Sequence, residues 1–83
     1  MNRIQLKALL LDSILHYKHG KHLSYNATHV KKQYCKMIGV SNRTTSKKMI
    51  DLLYWTFCDN GLKDEVEATL IKFNVLTNRI NPS

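Results

Sequence analysis

The chain has 83 residues with 43% apolar and 23% charged side chains, one proline and three glycines. Such a composition is that of a folded domain rather than a disordered segment, and the length allows one small core but no sizeable enzyme cleft. Thirteen Lys and Arg against six Asp and Glu give a net charge of +7, which points to an anionic partner such as nucleic acid.

The first helix is predicted over residues 3–18, between Asn2 as N-cap and Gly20 as stop. Ile4, Ala8, Leu11 and Leu15 form one helical row; Leu10, Ile14 and Tyr17 form a second. So wide an apolar face predicts a core helix. The polar connection His19–Ser24 follows, with a short strand at Leu23 to Tyr25 as a minor option. A second helix starts at Ser24, Asn26 or Thr28 and runs to Ile38, with Val30, Tyr34, Met37 and Ile38 inward and Lys31, Lys32 and Lys36 away from that face.

Gly39 breaks this helix, and Ser41 is placed to cap the next one. The third helix is expected over 42–58, with Thr45, Met49, Leu52, Leu53 and then Thr56 or Phe57 buried. Asp59, Asn60 and Gly61 end it. Its opening residues, Asn42 to Lys48, are hydrogen-bonding groups and cations, although acids suit a helix N-terminus better. A partner that supplies negative charge accounts for them.

The tail offers two readings. Residues 68–76 alternate and are rich in β-branched side chains, favouring a strand. Asp64 and Glu67 resemble a capping box, with Val66, Leu70 and Phe73 at helical spacing, so a fourth helix is the alternative. Residues 78–83 are expected to fray.

Charge is unevenly distributed. Lys18, Lys21, Lys31, Lys32, Lys36, Arg43, Lys47 and Lys48 lie in a stretch with no acid, whereas Asp51, Asp59, Asp64, Glu65 and Glu67 follow against Lys63 alone. The basic block coincides with the helix–glycine–helix pattern.

The run Cys35-Lys36-Met37-Ile38-Gly39-Val40-Ser41-Asn42-Arg43-Thr44-Thr45-Ser46-Lys47 resembles the helix-turn-helix pattern of transcription regulators. Cys35 stands at the small-residue position where the two helices cross, and Val40 and Met49 match buried positions. The resemblance extends to the winged-helix class through Asn60-Gly61-Leu62 and Thr69 to Phe73, read as helix end and wing strand. It implies a mainly α fold over 1–83 as a single domain. The three-helix core has its motif at about 28–58 and ends in a C-terminal strand or hairpin.

In that family the second helix enters the major groove of double-stranded DNA. Carried over, Asn42, Arg43, Ser46 and Lys47 face bases, while Ser41, Thr44, Lys31, Lys32 and Lys48 contact phosphate. Tyr54, Trp55, Phe57 and Cys58 are more apolar than a helix end needs; they either pack under the first helix and the tail or, the sharper reading, mark a homodimer surface, since such regulators bind paired half-sites. The implied function is a DNA-binding transcription regulator. The alternatives are a non-specific architectural DNA binder and a protein–protein assembly module.

Nothing points to catalysis, a cofactor or a small-molecule substrate: there is no phosphate loop, carboxylate pair or activated nucleophile. His16, His19, His22 and His29 come without CxxC or HExxH spacing, so no metal is expected. With no signal-like or membrane-length apolar segment, the expected location is the cytoplasm of a prokaryote or, for a viral protein, of its host.

Overall fold

A computed structural model describes residues 1–75 and contains four helices: α1 (Arg3–His19), α2 (Tyr25–Ile38), α3 (Ser46–Asp59) and α4 (Lys63–Lys72). The fold is mainly α, and no strand occurs among the described residues. The chain divides into two compact units, Met1–Leu53 and Tyr54–Ser83, with α3 contributing to both.

In the first unit, α1 begins with a reciprocal cap. Asn2 Oδ1 accepts from Gln5 N at 2.8 Å, and Gln5 Oε1 accepts from Asn2 N at 3.0 Å. Two donors that a helix start leaves open are thereby satisfied. Gly20 ends the helix with a left-handed backbone, as expected. α2 packs against α1. It is capped by Ser24, whose Oγ accepts from Ala27 N at 3.1 Å. Asp12 on α1 fixes that cap from outside, its Oδ2 accepting from Ser24 N at 2.9 Å. Residues 23–24 are coil and Tyr25 is helical, so the short-strand option is not taken.

The core of this unit is Leu6, Leu9, Leu10 and Ile14 from α1, Ala27, Val30, Tyr34 and Cys35 from α2, and Met49, Ile50 and Leu53 from α3. Each fully buried Leu among them contributes roughly 1.5–3 kcal/mol over exposure. The inward rows differ from expectation at several places. Ile4 is 79% exposed and Ala8 is exposed, with Leu11 and Leu15 half-buried. At about 100° per residue, these four lie nearly opposite the buried Leu6–Leu10–Ile14 side. α1 therefore has two apolar faces, and the unit buries only one. Met37 is 60% exposed for the same kind of reason: α2 turns Cys35, not Met37, into the core.

The largest local correction concerns the connection after Gly39. The third helix does not start at Asn42 but at Ser46. Ser41 folds its own segment into a turn. Its Oγ accepts from Arg43 N at 3.0 Å, and its carbonyl accepts from Thr44 N at 3.1 Å and Thr44 Oγ1 at 2.6 Å. Thr45 is the residue that caps α3, with Oγ1 accepting from Lys48 N at 3.3 Å and its carbonyl from Met49 N at 2.8 Å. Ser and Thr hydroxyls compete for nearby backbone donors, and the second competent cap won.

In the second unit, α3 ends at Gly61, left-handed as expected. Leu62 N then donates to Phe57 O at 2.8 Å. The expected strand is absent. Residues 63–72 form α4, burying Val66, Thr69 and Leu70 at helical spacing, and the helix ends at Phe73. Three buried positions at i, i+3 and i+4 outweigh the β-branched alternation. Leu62 occupies the cap position without a side-chain bond, so the expected capping box does not form; Asp64 and Glu65 instead complement the helix start by charge. With no strand among the described residues, the winged-helix extension has no wing there. Residue 76 of the expected strand and the fraying expected at 78–83 lie outside the described residues.

Candidate nucleic-acid interface

The two units differ sharply in charge. Residues 1–53 carry ten of the thirteen cations and only Asp12 and Asp51 as acids; the remainder carries three cations and four acids. Within the first unit, Asp12 is occupied at the α2 cap. Among the described residues, Lys32, Lys36, Arg43, Lys47 and Lys48 are exposed and form no ion pair. Lys47 and Lys48 sit in the first turn of α3, where no acid is present. Their charges add to the positive end of the helix dipole, and an external anion relieves both.

Of the residues expected to meet bases, Asn42 and Arg43 are exposed, but in the turn rather than on the helix; Lys47 is exposed on α3. Ser46 is different. It is only 9% exposed, and its Oγ lies 2.6 Å from His16 Nδ1. That bond joins the last turn of α1 to the first turn of α3, so Ser46 ties the two helices together and does not face outward. Ser41 and Thr44 likewise commit their hydroxyls to the turn. Of the expected phosphate contacts, Lys32 and Lys48 are exposed and Lys31 is half-buried.

Cys35 on α2, read as the small residue of a helix crossing, is buried against Met49 of α3. Cys35 is 1% exposed, and its Sγ lies 3.7 Å from Met49 Sδ. Burial pushes the Cys35 thiol above its ordinary pKa, against the opposing pull of the Lys31 ammonium. A protonated, enclosed thiol suits packing and not nucleophilic chemistry. Val40, the other expected buried position, is half-buried.

In the second unit, Phe57 is 1% exposed and belongs to the core, so it is not available to the dimer surface expected of it. Trp55 is 63% exposed, with the Tyr54 ring packed edge-on at 5.2 Å, and Cys58 is half-buried. Tyr54 donates its phenol proton to Glu67 Oε2 at 2.8 Å. That hydrogen bond, with desolvation and Cys58, holds the phenol pKa up at about 12.

Sequence reasoning missed His16, Thr45 and Asp12, all of which shape this region. His16 enters the sequence reading only as one of four histidines without metal-site spacing, and nothing in its local sequence marks a partner thirty residues on. Among the described residues no group of three His, Cys, Asp or Glu is placed to hold a metal ion. No described helix is long and apolar enough to cross a membrane.

The fold and surface thus define a mainly α protein of four helices whose first unit is cationic. No family model, curated protein or solved structure matches the chain.

Proposed function

We propose that the chain binds double-stranded DNA through the 40–48 segment and regulates transcription, acting in the cytoplasm of a prokaryote or of a virus-infected cell. The observation that carries this reading is the gathering of ten cations on the unit that holds the turn, against two acids. Asn42, Arg43 and Lys47 are the base-facing candidates, and Lys31, Lys32 and Lys48 hold phosphates. Ser41, Thr44 and Ser46 shape the loop and helix start. A homodimer through Trp55, Tyr54 and Cys58, with Phe57 packed behind them, gives two copies of the basic surface for paired half-sites.

A second reading, charge-led coating of duplex DNA, draws on two observations. Asn42 and Arg43 lie in a turn, and Asp51 shares the exposed side of α3 with Lys47 and Lys48. A protein-assembly module draws on the exposure of Trp55. Selection from a random duplex pool separates all three. Enrichment of a motif, lost in Arg43→Ala, is the expected result. Tight binding without enrichment favours coating. No duplex binding at low salt, with partner binding intact in Arg43→Ala and Lys47→Ala, sinks the DNA reading.

A further inference from the structure

The face of α1 that the first unit leaves uncovered borders a groove of about 390 Å³ beside α2. That volume is near the low end of the roughly 300–1,000 Å³ typical of small-ligand sites. Ile4, Ala8 and Val30 supply its apolar lining; Gln5, Asn26, Gln33 and His29 supply its polar lining, and no formal charge enters it. Gln5 is held by the α1 cap, while the side chains of Asn26 and Gln33 have no hydrogen-bond partner among the described residues. A carboxamide offers donor and acceptor together, as the edge of a nucleobase does.

Along α2, His29 lines the groove and belongs to an adjoining stripe at i, i+4, i+7 and i+11 with Tyr25, Lys32 and Lys36, all exposed. The Tyr25 ring is 79% exposed and braced edge-on by His29 at 4.5 Å. Aromatic rings followed by unpaired cations on one helix face form the combination that stacks bases and tracks phosphates. An apolar protein helix would satisfy Ile4 and Ala8 but would leave this cationic stripe and the amides unmatched.

We infer that this groove takes an unpaired base of single-stranded DNA, with Tyr25 stacking on the strand, Asn26 and Gln33 at the base edge, and Lys32 and Lys36 on flanking phosphates. A strand, rather than a free nucleotide, matches cations spaced over a full turn of helix. The inference rests on the cationic character that also supports duplex binding and shares Lys32 with that reading, but Tyr25, Asn26, Gln33 and Lys36 are not among the residues assigned to the duplex.

Fluorescence anisotropy at low salt, with a labelled thymidine oligomer and a duplex of equal length, tests it. Tyr25→Ala and Gln33→Leu replace exposed side chains, and circular dichroism checks that each variant keeps its helices. Each is expected to weaken single-strand binding by about tenfold and to change duplex binding by no more than about twofold. Arg43→Ala should do the reverse.

Single-strand affinity unchanged in both Tyr25→Ala and Gln33→Leu overturns the inference. A thymidine mononucleotide that binds as tightly as the oligomer overturns the strand assignment. An uncharged amphipathic peptide that fills the groove and is not displaced by the oligomer overturns it in favour of a protein partner. Single-strand binding that depends on Tyr25, with no duplex binding, sinks the duplex reading and leaves this one standing. Duplex binding that depends on Arg43, with single-strand binding indifferent to Tyr25, does the opposite.

Discussion

Ser13 is the residue whose local chemistry is least satisfied. It is 1% exposed in α1, and its Oγ has no hydrogen-bond partner among the described residues. A buried hydroxyl without a partner costs about 1–3 kcal/mol, and alanine is the better helix former. Ser13→Ala is therefore expected to raise stability by about 1 kcal/mol, seen as a higher urea midpoint with an unchanged slope. Tyr54 carries the opposite situation, a polar group whose neutral form is well held. Its pKa rises from an ordinary 10.0 to about 12, chiefly through the bond to Glu67. The stabilisation belongs to the protonated phenol, so it is complete below pH 10 and lost as pH climbs through about 12. In an ultraviolet phenolate titration, Tyr54→Phe should remove a component near pH 12, and its stability should fall less steeply across that window. Neither behaviour was legible in sequence, because Ser13 looks like an ordinary helix residue and Glu67 lies thirteen positions from Tyr54.

At the scale of elements, the helix–turn–helix connection is controlled by Gly39 and by the choice between two caps. Gly39 has φ 78°, and a Cβ there would meet nothing within 4 Å. The cost of Gly39→Ala is then purely that of a left-handed backbone, about 1–2 kcal/mol, whereas Gly39→Asn should cost less. Thermal or urea unfolding of the two variants measures the difference. The glycine was readable because only one residue type tolerates that conformation cheaply. The cap was not: Ser41 and Thr45 are both competent, and the His16–Ser46 bond ties the chain immediately after Thr45 to α1. The same distinction explains α4. Its β-branched composition suggested a strand, but burial of Val66, Thr69 and Leu70 on one side requires a helix.

At the scale of the molecule, the segregation of charge has a measurable consequence. If the cations of the first unit meet duplex phosphates, each contact releases counterions and steepens the dependence of affinity on salt. Lys32→Ala with Lys48→Ala should reduce the slope of log K against log salt by roughly two and weaken all duplex sequences alike. The same pair of changes on Lys63 and Lys72, in the unit where acids outnumber cations, should leave the slope unaltered. Anisotropy titrations over a series of salt concentrations decide between these outcomes. An equal response from both pairs would remove the special standing of the first unit.

Sequence alone determined the helical class, the glycine stops at 20, 39 and 61, the cap at Asn2 and three candidates for the next, and the basic block with its acidic successor. Each is a local property, set by backbone sterics, a side-chain acceptor within three residues, or formal charge. Only the tertiary structure decided which of two apolar faces α1 buries, that Phe57 and Ser46 turn inward, and where α3 begins. Those depend on partners far along the chain, and periodicity cannot say which face another helix will cover. The basic turn after Gly39 therefore keeps its charge as read from sequence, while its shape is set by Thr45 and by His16 reaching across from α1.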